Sequence, residues 1–160
     1  MSLTTPLTSP DLVPAIVSTW FGGGLPPEAV ARLASIASRR EVPAGTELFH
    51  EGQATEAMAI VLTGRVALRT LVSERGMVTI LPVEPGDIVG WSAVVPPHRA
   101  TSVGIAIEPV VLLEFPGERL RQLLREDHAL AASVYPRVMQ AMSRRLAATL
   151  TEALRPMRHR

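Results

Sequence analysis

The sequence predicts an α+β fold in which short β-strands form a sandwich or roll, with short helices before it and a helical segment after it. Turns that contain Gly or Pro recur at short intervals between residues 42 and 117, and they separate runs rich in Val, Ile, Leu and Thr. Outside this region apolar residues recur at steps of three and four, which is the spacing of an amphipathic helix. The strand-rich centre and the helical ends therefore define the fold class.

The N-terminal region predicts two short helices. Ser9 and Pro10 supply a capping residue and a first-turn proline for a helix that extends to about Trp20, before three glycines at 22–24. Residues 26–28 (PPE) begin a second helix. Residues 2–9 are rich in Ser, Thr and Pro, so we expect them to be loosely structured. The apolar positions expected to face inward are Leu12, Ile16 and Trp20 in the first helix and Ala29, Val30, Leu33, Ile36 and Ala37 in the second.

The central region predicts short strands, and helices follow them. A short helix is expected over residues 118–125, and Asp127 can cap the next helix. Pro136 is expected to break or kink that helix, because proline lacks an amide hydrogen and disfavours the α conformation at Tyr135. The strands are expected at residues 57–62, 66–71, 78–83, 103–107 and 110–115.

A stripe of apolar residues follows Pro136 at steps of three and four. We call the members of this stripe the seam residues, and the first of them is Met139. A stripe of this length is typical of a contact between two helices, either inside the core or between two subunits. The seam residues are Met139, Met142, Leu146, Leu150 and Leu154.

The composition indicates one globular domain and excludes several classes of protein. With 160 residues, of which 47% are hydrophobic and 19% charged, the chain can bury a core. The formal net charge of +1 gives no overall field that attracts nucleic acid. The absence of cysteine excludes disulfides, thiolate metal sites and a cysteine nucleophile. The sequence has no apolar run of the roughly 18 residues that a membrane span needs, and no signal peptide is recognisable, so we expect a cytoplasmic protein.

The sequence contains no recognisable catalytic constellation. The four histidines have no metal-ligand spacing, no serine lies in a nucleophile elbow, and no glycine-rich loop matches an ATP site. We therefore expect a binding protein without a metal and without enzymatic activity.

The segment around Gly90 and Arg99 predicts a small anion-binding pocket between two strands. A turn and a short apolar run lead to Gly90, small residues follow, and Arg99 precedes a β-branched strand. Small residues let backbone amides approach an anion closely and a guanidinium matches its charge, so a phosphate is the expected occupant. His98 can add a donor at low pH. The alternative is that Arg99 forms a surface ion pair with Asp87 or Glu108.

Four segments, in order, resemble the cyclic nucleotide-binding domain of the catabolite-activator type. Residues 42–49 (VPAGTELF) with 51–52 (EG) resemble its opening strands, and residues 59–66 (AIVLTGRV) resemble a strand and turn of that family. Residues 85–90 (PGDIVG) resemble the start of its phosphate-binding cassette, and Arg99 falls where the family has its phosphate arginine. We refer to the stretch from 85 to 99 as the cassette.

The resemblance divides the chain into three parts. It covers residues 25–155, with a β-roll at about 41–115 and C-terminal helices at 117–155. Residues 1–24 form a loose segment and a short helix, and residues 156–160 form a basic tail. The family implies an eight-stranded β-roll with flanking helices and a long C-terminal helix that pairs two subunits. Because too few residues follow that helix to form a helix-turn-helix, we expect a stand-alone sensor domain that does not bind DNA directly.

The resemblance also implies a ligand and the residues that bind it. The ligand is a cyclic purine nucleotide, cyclic AMP or cyclic GMP, whose phosphate meets the cassette amides and the arginine. The last helix covers the base of the ligand, and Arg144 and Arg145 on this helix can stack on that base. The alternative is that the side chains of this helix are solvated. The residues implied to bind ligand are Val89, Gly90, Trp91, Ser92, Ala93, Arg99, Ala100, Thr101, Arg145 and Thr149.

Two positions depart from the family's pattern. Trp91 stands where the family has a glutamate that accepts a hydrogen bond from the ribose, and an indole cannot accept one. Ala100 stands where the family often has Ser or Thr, with Thr101 one position later. Trp91 can pack against a ligand or fill a ligand-free pocket, and Ser92 can replace part of the lost bond.

Two functional hypotheses follow. The first is a homodimeric cyclic nucleotide sensor in signal transduction, in which ligand binding moves the C-terminal helix and changes a surface that another protein reads. The alternative is a degenerate member that no longer binds nucleotide and acts as a dimeric interaction scaffold, with Trp91 filling the cavity. A role in transcription would need a separate DNA-binding partner.

Overall fold

The computed structural model of the protein describes residues 9–156. Residues 1–8 and 157–160, which include most of the segment expected to be loose and most of the basic tail, lie outside the described residues. Within the described range the elements, in order, are α1 (Ser9–Val17), α2 (Pro27–Ile36), β1 (Ser38–Val42), β2 (Glu47–Phe49), β3 (Ala57–Thr63), β4 (Val66–Val72), β5 (Gly76–Val83), β6 (Ile88–Val89), a 3₁₀ helix (Trp91–Ala93), β7 (Val103–Ala106), β8 (Val110–Pro116), α3 (Gly117–Glu126) and α4 (His128–Ala153).

The strands form two four-stranded sheets, with the orders β1-β8-β3-β6 and β2-β7-β4-β5. All neighbouring strands in both sheets are antiparallel. The predicted eight-stranded roll is therefore confirmed, and β3, β4, β5, β7 and β8 coincide with the five predicted strands to within two residues. Turn chemistry located these strands because glycine and proline residues lie at almost every reversal of the chain.

The strands β8, β3 and β6 of the first sheet are largely buried on both faces, so they separate two apolar cores, whereas the edge strand β1 is mostly exposed. Along β3, Met58 and Ile60 point to the helices, whereas Ala59 and Val61 point to the inside of the roll. This alternation follows from the two-residue period of a strand. It explains why β3 and β8 are almost continuously apolar, whereas strands of antiparallel sheets usually alternate apolar and polar residues.

The N-terminal helices pack on the outer core. Leu12 and Ile16 of α1 are 2% and 0% exposed, as predicted. However, α1 ends at Val17, before Trp20. The reason is local: the hydroxyl of Thr19 donates to the carbonyl of Ile16 (2.6 Å) and accepts from the amide of Gly22 (3.0 Å), which stabilises a turn in place of further helix.

The long helix α4 begins at a capped residue and continues past the predicted break. The carboxylate of Asp127 accepts from the amide of Leu130 at 3.0 Å. Of the break or kink expected at Pro136, the break is wrong, because α4 runs through this residue without interruption. Proline removes one helical hydrogen bond, and its acceptor at Ala132 lies on the exposed face together with Pro136, so water can satisfy it. Most seam residues remain exposed: Met139 59%, Leu146 62%, Leu150 53% and Leu154 80%.

Candidate functional site

The cassette turns sharply at Gly90 because β3 lies directly behind it. Gly90 has φ 75° and ψ 33°, in the left-handed region that favours glycine. A Cβ atom at this position would stand 2.5 Å from the carbonyl oxygen of Ala57. The absence of a side chain therefore lets the 3₁₀ helix that begins at Trp91 start against the backbone of the first sheet.

A cavity of about 600 Å³ lies between the cassette, the second sheet and α4. Its walls are mainly apolar, with a few polar and charged side chains, which is the usual character of a small-molecule site. The structure brings the following predicted ligand residues together around it: Trp91, Ser92, Arg99, Thr101, Arg145 and Thr149.

A small recess continues the cavity toward the roll. It shares Trp91 and Arg145 with the cavity and adds the predicted residues Gly90 and Ala100. Sequence reasoning missed Thr55, which is 9% exposed and lines the recess, and Ser102, which is 7% exposed and lines both spaces. A hydroxyl residue directly before the strand that follows Arg99 was the available signal for Ser102, whereas no local pattern distinguishes Thr55 from other turn residues.

Val89 and Ala93 lie away from both the cavity and the recess. The side chain of Val89 packs inside the roll, because its neighbour Ile88 takes the outward position in the strand. Ala93 is completely buried in the outer core, and its amide donates to the carbonyl of Gly90 at 3.0 Å. The resemblance implied a ligand contact for both residues, but this geometry gives their side chains none and occupies the amide of Ala93.

Arg99 is held at the edge of the cavity by the backbone. Its Nη1 donates to the carbonyl of Gly52 at 2.8 Å, and Arg99 forms an isolated β-bridge with Ala54. The two acids considered as partners are engaged elsewhere: Asp87 pairs with Arg144 at 3.2 Å, and Glu108 lies 3.5 Å from Arg65. Among the described residues no carboxylate pairs with Arg99, so its guanidinium retains donors for an anion.

Arg145 reaches from α4 into the site and is almost fully buried. It is 5% exposed, its guanidinium carbon stands 4.4 Å from the ring centroid of Trp91, and it donates to the carbonyl of Ile88. Burial lowers the pKa of Arg145 to about 10; Asp87 opposes this shift and Arg144 adds to it. The side chain is therefore still protonated at neutral pH and carries a buried positive charge.

The neighbouring arginines attach α4 to the rest of the molecule. Arg144 stacks on Trp20 at 4.1 Å to the ring centroid, in addition to its ion pair with Asp87. About two turns earlier, Arg137 donates to the carbonyls of Trp20 (3.0 Å) and Phe21 (2.9 Å). Both arginines therefore fix the position of α4 relative to the N-terminal segment, which makes Arg144 a structural residue in this arrangement.

The remaining polar groups around the site form local bonds. The hydroxyl of Thr149 donates to the carbonyl of Arg145 at 2.7 Å, and its oxygen can still accept from a ligand. Nδ1 of His98 lies 2.9 Å from the carbonyl oxygen of Ser92, so this contact joins the 3₁₀ helix to the residue that precedes Arg99. Within residues 9–156 no group of three or more His, Asp or Glu side chains is arranged to hold a metal ion. No helix in this range has both the length and the apolar character to cross a bilayer.

Comparison with known proteins identifies similar chains. The profile of the family described as "Cyclic nucleotide-binding domain" matches residues 39–127. The Pycsar effector protein XpPycTIR of Xanthomonas perforans is 31% identical over 137 residues, which cover 82% of this chain and 38% of that protein. The cyclic AMP receptor protein of Thermus thermophilus is 29% identical over 131 residues, covering 81% of this chain and 56% of that protein.

A solved structure shares the architecture. A putative cyclic nucleotide-binding protein from Geobacter metallireducens is 27% identical and superposes with a TM-score of 0.72, covering 88% of this chain and 98% of that one. The two curated relatives are longer, since this chain spans 38% and 56% of their lengths.

Proposed function

Because the chain belongs to the cyclic nucleotide-binding domain family, whose profile matches residues 39–127, we propose that it is a cyclic nucleotide sensor. The proposed binding site is the large cavity. The observation that carries the proposal is that the cassette, Arg99 and α4 all border this one cavity of about 600 Å³. This volume is within the range of about 300–1,000 Å³ that is usual for small-molecule sites.

The phosphate of the ligand is proposed to bind at the end of the cavity that Arg99 borders. Ser92 and Thr101 line the same space, so hydroxyl donors accompany the guanidinium. Arg99 has no carboxylate partner among the described residues, and a backbone carbonyl holds it in place. A charge-assisted hydrogen bond from such a group contributes about 1.5–3 kcal/mol.

The purine is proposed to bind against α4. Met142 and Leu146 give this wall of the cavity an apolar surface, and Thr149 adds a hydroxyl at its edge. A purine has the same character, with an apolar face and a polar rim, so cyclic AMP and cyclic GMP are the proposed ligands.

A homodimer is proposed to form through α4. Met139 and Leu146 line the cavity and are also 59% and 62% exposed, so a second copy packed on this helix would close the cavity from outside. Leu71 and Met77 of the β4–β5 hairpin, 68% and 49% exposed, extend the available apolar surface. Ligand binding and the contact between subunits would thereby involve the same side chains, which gives a route from the ligand to a surface that another protein reads.

The alternative, a scaffold that does not bind nucleotide, is suggested by the tryptophan that replaces the ribose-binding glutamate. It requires Trp91 to fill the cavity. The indole instead lies on the wall, under the guanidinium of Arg145, beside about 600 Å³ of open volume.

Thermal denaturation with cyclic AMP and cyclic GMP tests the proposal. A ligand at about one hundred times its dissociation constant stabilises a protein by about 2.7 kcal/mol, which corresponds to a rise of about 5–10 °C for a chain of this size. In Arg99→Gln the affinity should fall by about 10- to 100-fold, whereas Arg119→Gln, which changes an exposed arginine on α3, should leave it unchanged. The choice of cyclic AMP and cyclic GMP as ligands is contradicted if neither nucleotide raises the midpoint, and the role of Arg99 is contradicted if Arg99→Gln responds like the unaltered protein.

A further inference from the structure

The cavity carries more positive charge than a cyclic mononucleotide neutralises. Arg99 and Arg145 both border it, and none of the described residues that line it is acidic. Asp87 is already occupied, by Arg144 at 3.2 Å and by the amide of Ile88 at 2.7 Å. A single phosphodiester bears one negative charge, so a cyclic mononucleotide bound at Arg99 leaves Arg145 with no counter-ion inside the cavity, and the attraction of Asp87 outside it is shared with Arg144.

Arg145 is also short of hydrogen-bond acceptors. Its side chain is 5% exposed, and its Nε has no partner among the described residues. Leaving a charged donor buried and unpaired is strongly unfavourable. In the described part of the chain only one other buried side-chain atom lacks a partner, Oγ1 of Thr55, and both residues line the recess. The recess holds only about 10 Å³, which is room for one water, so a larger acceptor would reach the guanidinium of Arg145 from the large cavity, which Arg145 also lines.

The replacement at Trp91 reverses the chemistry of this wall. A glutamate here, as in the family pattern, would accept a hydrogen bond from a ribose hydroxyl. In this chain Trp91 instead supports the guanidinium of Arg145 at 4.4 Å, and a guanidinium has donors only. The wall therefore favours a group that accepts hydrogen bonds and carries negative charge over a free hydroxyl.

We propose that Arg145, supported by Trp91, binds a second phosphoryl group, and that the preferred ligand of the cavity carries two phosphoryl groups instead of one. This inference rests on the proposed function, since it names the ligand class of the same site. Two ligands share the required chemistry: a cyclic dinucleotide, which has two phosphodiesters, and a cyclic mononucleotide whose ribose 2′-hydroxyl is phosphorylated. In both, one phosphoryl group meets Arg99 and the other meets Arg145.

Calorimetric titration of the full chain tests this assignment. The probes are cyclic AMP, cyclic GMP, cyclic di-AMP, cyclic di-GMP and 2′-phosphorylated cyclic AMP. Charge-assisted hydrogen bonds are about twice as strong as neutral ones, so at least one bis-phosphoryl probe should bind about tenfold or more tightly than both cyclic mononucleotides. If the cyclic dinucleotides bind more tightly, the second phosphoryl group is a second phosphodiester. If 2′-phosphorylated cyclic AMP binds more tightly, it is a phosphate on the ribose. This comparison needs no variant, so it does not depend on the folding of one.

Substitution of Arg145 then assigns the preference to its side chain. Arg145→Gln should lower the affinity for the bis-phosphoryl probe about tenfold more than the affinity for cyclic AMP, which removes the advantage of that probe. Arg145→Lys keeps the charge and should retain part of the advantage. Arg119→Gln is the matched control for loss of an arginine from a helix, and it should bind every probe as the unaltered protein does.

Three results would overturn the inference. The first is a cyclic mononucleotide that binds as tightly as every bis-phosphoryl probe. The second is a gain of cyclic AMP affinity in Arg145→Gln, which would mean that Arg145 blocks the site. The third is a bis-phosphoryl preference that persists unchanged in Arg145→Gln. In each case the proposed function survives, because it fails only if no cyclic nucleotide of either class binds.

Discussion

Replacing Gly90 with alanine is expected to destabilise the protein more than an otherwise equivalent glycine substitution. Two effects add at this position. A non-glycine residue in the left-handed region at φ 75° costs about 1–2 kcal/mol. In addition the new Cβ would lie 2.5 Å from the carbonyl oxygen of Ala57, so the cassette or β3 must shift, which by analogy with overpacked cores costs about 1–3 kcal/mol more.

Gly76 provides a matched control because its φ angle is almost the same. Its φ is 76°, yet a Cβ atom there would meet no heavy atom within 4 Å. Gly76→Ala therefore experiences the conformational effect alone, and the difference between the two variants isolates the steric effect of about 1–3 kcal/mol. In thermal denaturation without ligand, this corresponds to a midpoint about 2–12 °C lower for Gly90→Ala than for Gly76→Ala, and urea denaturation measures the same difference as a free energy of unfolding. If the two variants unfold within about 0.5 kcal/mol of each other, close approach to β3 is not the reason for glycine in the cassette.

Three further predictions address the seam residues, the attachment of α4, and the packing of Gly104 against Phe49, whose ring lines the recess. Leu150→Glu, at a position 53% exposed, should convert a dimer into a folded monomer in sedimentation analysis; an unaltered protein that is monomeric would contradict this. Arg144→Ala removes the stacking on Trp20 and a half-exposed ion pair, so the melting midpoint should fall by about 2–4 °C; an unchanged midpoint would show that this contact does not hold α4. Gly104→Ala places a Cβ against the ring of Phe49 and should destabilise the protein by about 1–3 kcal/mol, with partial recovery in the double variant that also carries Phe49→Leu; no recovery would mean that the ring is not the obstacle.

The strand-rich part of the fold was predictable because its signals are local. Glycine and proline at the chain reversals mark the ends of β3, β4, β5, β7 and β8, and the intervening residues have high strand propensity. The end of α1 was not predictable in the same way, since it depends on the hydroxyl of Thr19 and on nothing in the apolar pattern. The passage of α4 through Pro136 depends on exposure of that face of the helix, which sequence alone does not specify.

The candidate site was predictable where chain neighbours form it and obscure where distant segments meet. Gly90 and Arg99 follow from the cassette sequence, and the structure brings both to the same site. The contact between Arg145 and Trp91 joins residues 54 positions apart, so spacing gave no indication that a guanidinium would cover the position of the missing glutamate. Val89 lies inside the roll because the two-residue period of β6 takes precedence over its place in the motif.

Tryptophan fluorescence offers the most direct test of whether the cavity is the nucleotide site. The chain contains two tryptophans, so Trp20→Phe leaves Trp91, on the cavity wall, as the sole tryptophan, and excitation at its red edge avoids the single tyrosine. Titration of this variant with cyclic nucleotides should give a saturable change in emission, and Arg99→Gln in the same background should weaken it by about 10- to 100-fold. Emission from Trp91 that stays constant up to millimolar concentrations of both cyclic mononucleotides and cyclic dinucleotides would contradict the assignment of the cavity.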